Sequence, residues 1–93
     1  MQFEWDQQKN LANYAKHKIN FEFACEVFDD PLAAYRLERV VHGEERWIVV
    51  GKALNMHVLV VVHTYRTHEE KEVIRIISAR RATSHERRLY ENE

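Results

Sequence analysis

Glycine, proline and cysteine are nearly missing from this chain: two, one and one in 93 residues. Two glycines, Gly43 and Gly51, cannot build a phosphate-cradling loop, which excludes nucleotide binding of the Rossmann or Walker type. One cysteine, Cys25, permits neither a disulfide framework nor a paired-cysteine zinc site. The six histidines form neither HxxxH nor HExxH, and no nucleophile-elbow motif surrounds Ser84-His85, so no metal site, serine-hydrolase site or cofactor is expected. No apolar run approaches the ~18 residues of a membrane span and no signal-peptide pattern is present, so the expected setting is reduced and cytoplasmic. Neither sign of charge dominates; a net charge of −1 and a pI near 6.6 argue against indiscriminate coating of nucleic acid. What is left is the composition of one compact domain spanning residues 1–93, with neither repeats nor low complexity.

The pattern of residues predicts an α+β order. Phe3-Glu4-Trp5 alternates as a short strand, and Asp6 is a good N-cap for a helix from Gln7 to about His17 with Leu11, Tyr14 and Ala15 as its apolar stripe. Asn20 caps a second helix through Phe28, whose face of Phe21, Ala24, Cys25 and Phe28 makes Cys25 a small buried apolar residue. Asp29-Asp30-Pro31 stops it. Four strands follow, Ala33 to Glu38, Arg46 to Ala53, Met56 to Tyr65 and Glu72 to Ala79, joined by short polar links that imply a four-stranded antiparallel sheet. Val58 to Val62 is apolar on both faces and therefore central, with the two helices over one side. Thr83 and Glu86 form a capping-box pattern, so a third helix starts there and Arg80-Arg81 fall in the strand-to-helix junction.

Charge is unevenly spread. Residues 1 to 30 hold six acids against three lysines, whereas Arg75 to Tyr90 holds five arginines against Glu86 alone. Arg66, Arg80 and Arg81 all close strands, and guanidinium groups match phosphate oxygens with a fixed fork of donors. One objection is geometric: the ends of neighbouring antiparallel strands lie at opposite edges unless the sheet is strongly twisted. A plainer reading pairs Arg80 and Arg81 with Asp29, Asp30, Glu44 or Glu45 as surface ion pairs of ~0 to 1 kcal/mol.

The residues Trp5-Asp6, Lys9, Asn13, Lys16-His17, Val27-Phe28-Asp29-Asp30-Pro31, Thr64-Tyr65-Arg66 and Ile74 through Thr83, with Ser-Ala-Arg-Arg-Ala-Thr at its end, resemble the BrnT family of toxins from bacterial type II toxin-antitoxin systems. Lys18 departs from the family's usual glycine; in a left-handed conformation it costs roughly 1 kcal/mol. The resemblance implies a RelE-like, microbial-ribonuclease-type fold and metal-independent cleavage of RNA that inhibits translation and growth. It also implies neutralisation by a BrnA-like ribbon-helix-helix antitoxin in a complex of two toxins and two antitoxins, which meets operator DNA only through the antitoxin. It assigns Arg66, Arg80 and Arg81 to phosphate binding and transition-state stabilisation, with Lys16, His17 and Glu45 as secondary candidates. Arginine cannot act as a base near neutral pH, so proton transfer falls to Lys16, His17, Glu45, His63 or water. The alternative is a non-catalytic module whose C-terminal arginines bind nucleic acid or an acidic protein.

Overall fold

Side chains at the segment ends set the elements. Asp6 accepts hydrogen bonds from the backbone of Gln8 and Lys9, Asn20 accepts one from Phe23, and Thr83 with Glu86 closes a reciprocal capping box. In the computed structural model, which describes residues 1–92, the chain runs β1 (Gln2–Glu4), α1 (Gln7–His17), α2 (Phe21–Ala24), a 3-10 turn (Cys25–Asp29), β2 (Ala34–Val41), β3 (Glu44–Lys52), β4 (Val58–His68), β5 (Lys71–Arg81) and α3 (Ser84–Glu91). Lys18 ends α1 with φ 61° and ψ 28°, the left-handed geometry for which glycine is the usual choice.

The expected four-stranded antiparallel sheet is corrected to a five-stranded mixed one in the order β1-β5-β4-β3-β2. β1 pairs parallel with β5, Phe3 standing opposite Ile74. Alternation within three residues says that they are extended but not which distant strand takes them. The second helix is also shorter than expected, turning into a 3-10 helix at Cys25. The hairpins are tighter: His42-Gly43 and Glu69-Glu70 turn with positive φ at both residues, as two-residue hairpin turns require, so the strands run further than their apolar cores. Arg80 and Arg81 are consequently the last residues of β5 and not part of a junction.

Strand alternation gives the sheet two unlike faces. On the helix-covered face, Val49, Leu59, Val61, Ile74, Ile76 and Ala79 meet Ile19, Phe21, Ala24 and Val27 in the main core. Gly51 lets the backbone approach closely there, since a Cβ would stand 3.1 Å from the Val27 carbonyl oxygen and 3.2 Å from the Ala33 Cβ and push both back by a few tenths of an ångström. The expected apolar stripe of α1 is overturned. Leu11 and Tyr14 are exposed and Ala15 with them, while Asn10 and Asn13 are buried. The reason is hydrogen bonding. β5 has no strand partner beside Ala79 on that edge, and the Asn13 amide takes its place, accepting from the Ala79 N–H at 3.1 Å and donating to the Ala79 and Ile19 carbonyls at 2.8 Å. Asn10 likewise accepts from Phe21 N–H.

Candidate functional site

The other face of the sheet is where the arginines are. Its apolar residues Ile48, Val50 and Val60 lie under α3 and, with Leu89 and Tyr90, line a cleft of ≈ 370 Å³ that has Arg36 and Glu86 on its wall. α3 is held by two polar latches. Arg80 donates to both carboxylate oxygens of Glu86, and the Tyr90 hydroxyl donates to Asp30, whose oxygens also accept from Lys52 and Leu32 N–H.

Beyond α3 the face is cationic. The pairings Arg36 to Ile48, Arg39 to Arg46, Thr64 to Arg75 and Val60 to Arg80, together with the Arg66 to Glu44 contact, put six arginines on it: Arg36, Arg39, Arg46, Arg66, Arg75 and Arg80. Three carry a carboxylate. Arg66 Nε lies 3.2 Å from Glu44, Arg75 lies 2.8 Å from Glu4, and Arg80 lies 2.7 Å from Glu86. The Arg80 contact is the strongest of these, since its hydrogen bonds hold the Glu86 carboxyl down at about 2. Glu38 on β2 also adds to the field that holds the proton on Arg80.

The six residues singled out in the sequence separate into two groups. Arg66 and Arg80 share the arginine face but not one spot: Arg80 stands opposite Val60, six residues from Arg66 on β4, or ~20 Å along the strand. The geometric objection raised by antiparallel pairing therefore holds. Arg81 pairs with Leu59 and points to the helix-covered side, at the exposed end of β5. Lys16 and His17 occupy the last turn of α1, which packs on β5 from that same side. Glu45 alternates with Trp47 and is turned away from the arginine face, although its carbonyl accepts from the Thr64 hydroxyl at 2.8 Å. His63 is fully buried among Phe28, Tyr35 and Tyr65. Its Nδ1 can only donate to the Val61 carbonyl, 3.3 Å away, which leaves Nε2 to accept from the Tyr65 hydroxyl; burial holds this neutral ring below the usual histidine range. It is a core residue and not a proton carrier. Cys25 is no nucleophile either, its thiol being pushed up to about 11 mainly by burial.

Residues the sequence reading missed are Arg36, Arg39, Arg46 and Arg75. Arg36, between Tyr35 and Leu37, and Arg75, between Ile74 and Ile76, carried a legible signal, since each alternates with apolar neighbours of the helix-covered side and so points to the opposite face. Arg39 carried none, because a bulge sets its direction. Among the described residues no group of three His, Cys, Asp or Glu is placed to hold a metal ion, and no helix is long and apolar enough to cross a membrane.

A small α+β domain with an arginine-rich sheet face is the class these features define. The family model described as "Ribonuclease toxin, BrnT, of type II toxin-antitoxin system" matches residues 5–86. The chain belongs to that family, and is thus a ribonuclease toxin of the type II toxin-antitoxin class, for which an antitoxin is the implied partner. Its fold is similar to that of the crystal structure of the Brucella abortus ribonuclease toxin BrnT, with a TM-score of 0.58 and 21% identity over 90% of this chain and 99% of that one. A search of curated proteins finds no match.

Proposed function

We propose that the arginine face is the RNA-binding and cleaving surface, and that the chain is an endoribonuclease that acts without a metal ion. The observation that carries this reading is the six arginines gathered on one sheet face of a protein whose net charge is only −1. In the reaction, the 2′-hydroxyl loses its proton and attacks the adjacent phosphorus, a phosphorane forms, and the 5′-oxygen leaves and takes a proton from water, giving a 2′,3′-cyclic phosphate and a 5′-hydroxyl. No side-chain nucleophile is needed. Arg66 supplies positive charge and donors to the phosphate oxygens as charge develops there, while Arg80, ~20 Å along the strand, holds a more distant phosphate of the same RNA.

Because a guanidinium cannot take the 2′-hydroxyl proton, a carboxylate of this face is assigned that step. Glu86 is too weak a base, with both oxygens bonded to Arg80 and one also to Thr83 N–H. Glu4 is engaged by Arg75 and His68. Glu44 makes one contact, through Oε2 to Arg66, and is placed beside the group that would hold the phosphate. It is the base in this reading. Arg81, Lys16 and His17 flank the far end of β5 as further phosphate contacts, and Glu45 lies outside the site. The partner in this reading is a BrnA-like ribbon-helix-helix antitoxin, two toxins binding two antitoxins, and the setting is cytoplasmic.

The test is incubation of the purified chain with single-stranded RNA in excess EDTA, followed by end mapping. Cyclic or 3′-phosphate ends are expected. Cleavage that needs added metal and leaves 5′-phosphates would falsify the mechanism, and salt-sensitive binding with no turnover would favour a non-catalytic module.

A further inference from the structure

We infer that Arg39 and Arg46 form a separate phosphate-binding subsite that grips the RNA backbone next to the cleaved bond; this rests on the RNA reading above. The two arginines stand directly opposite each other on β2 and β3. Like charges facing each other across neighbouring strands repel, and the folded chain gains nothing from placing them there. Arg66, Arg75 and Arg80 each have a carboxylate within 4.0 Å, whereas among the described residues neither Arg39 nor Arg46 does. The Nε of Arg46 is buried and has no hydrogen-bond partner, so the folded chain does not compensate the desolvation of this guanidinium.

The backbone is shaped to create this pairing. Leu37 stands opposite Trp47 on the helix-covered side, and strict alternation would send residue 39 to the same side. A register shift between Leu37 and Arg39 turns Arg39 over to face Arg46. Bulges of this kind re-aim a side chain at the cost of local ladder bonds, and they occur beside functional sites. The ligand that two adjacent guanidinium forks suit is a phosphodiester.

Position then says which phosphate. Arg46 is on β3, two residues from Glu44, and Glu44 meets Arg66 on β4. One strand spacing and two residues of rise put the Arg46 and Arg66 backbones about 8 Å apart. That is close to the step between successive phosphates of an extended strand. Buried Thr64 and then Arg75 continue the row from Arg46 toward β1.

The test measures binding of a non-cleavable 2′-O-methyl RNA oligonucleotide by fluorescence anisotropy across a salt series, for wild type, Arg39→Gln, Arg46→Gln, the double variant and Arg46→Lys. Loss of one phosphate contact lowers the slope of log affinity against log salt by about 0.7. The double variant should show that drop with roughly tenfold to hundredfold weaker binding, while Arg46→Lys keeps the slope and loses part of the affinity. Without RNA, both glutamine variants should melt no lower than wild type, since a repulsion has been removed. Unchanged affinity and slope in the double variant overturn the subsite while leaving cleavage at Arg66 intact. A wild type that does not bind the oligonucleotide overturns both readings. Loss confined to binding of an acidic polyglutamate peptide overturns the subsite in favour of a protein ligand.

Discussion

Arg80 lays its guanidinium against both carboxylate oxygens of Glu86, at 2.7 and 2.9 Å, so one ion pair both anchors α3 and occupies an arginine of the proposed cleavage face. The same carboxylate closes the capping box with Thr83. Docking of α3 and availability of Arg80 are therefore coupled.

That coupling sets a pH dependence. The Glu86 carboxyl sits at about 2 in the folded chain against an ordinary value of 4.5. A lowered folded value means that the contribution is complete above pH 4.5 and is lost as pH falls toward about 2. Arg80 is 40% exposed, so solvent screening reduces the contribution to about 1 kcal/mol. Urea unfolding of Glu86→Gln should show a deficit of that size at neutral pH that vanishes in acid. A deficit that persists unchanged in acid would show that the ion pair is not what holds α3.

Cleavage should divide the arginines by face. Arg66→Ala is expected to lower the rate by about 10²-fold or more and Glu44→Gln by ~10²- to 10⁴-fold, whereas Arg80→Ala, ~20 Å along the strand, should weaken RNA binding more than it slows the bond-breaking step. Arg81→Ala, on the other side of β5, should cost far less. Growth inhibition on induction gives the same ranking in cells, with circular dichroism to confirm that each variant folds. Equal activity in Arg66→Ala and wild type would remove that end of the face from the site.

His63 governs a second, milder pH window. Its folded value lies below 6.5 because the neutral ring is buried, so the unfolded chain takes up a proton first as pH falls. Stability should therefore decline as pH drops below about 6.5. His63→Phe, which keeps a ring among Phe28, Tyr35 and Tyr65, should flatten denaturation midpoints between pH 7 and 5. The idea fails if the variant and wild type decline in parallel.

Asn13→Ala tests the polar seam between α1 and β5. It removes the partner of Ala79 N–H and of two carbonyls in a buried setting, at about 1 to 3 kcal/mol for each group left unpaired and about 3 kcal/mol after relaxation. Hydrogen exchange at the Ala79 amide should quicken with the loss. A change below about 0.5 kcal/mol would mean that water or a shifted helix replaces the amide.

How far the fold could be read in advance depended on the range of the interaction involved. Asp6, Asn20 and the Thr83–Glu86 pair marked helix starts because a cap joins groups a few residues apart. The four long strands were legible for a similar reason, their apolar runs being local and their links short. β1 was legible as extended but not as a fifth strand, since its partner Ile74 lies across the chain. α1 was misread at Leu11 and Tyr14, because hydrophobicity cannot foresee that an asparagine will be drawn inward by the bare edge of β5.

The arginine site shows the same division. Residue chemistry alone established that this chain carries guanidinium groups, that it has no glycine-rich phosphate loop or paired cysteines, and that a BrnT-like pattern runs through it. Tertiary structure alone decided which arginines share a face. Antiparallel register separated Arg66 from Arg80, parity sent Arg81 to the far side, and a single bulge brought Arg39 round to Arg46. A side chain's direction in a sheet alternates with every residue, so one inserted residue in a strand reverses everything that composition could have suggested.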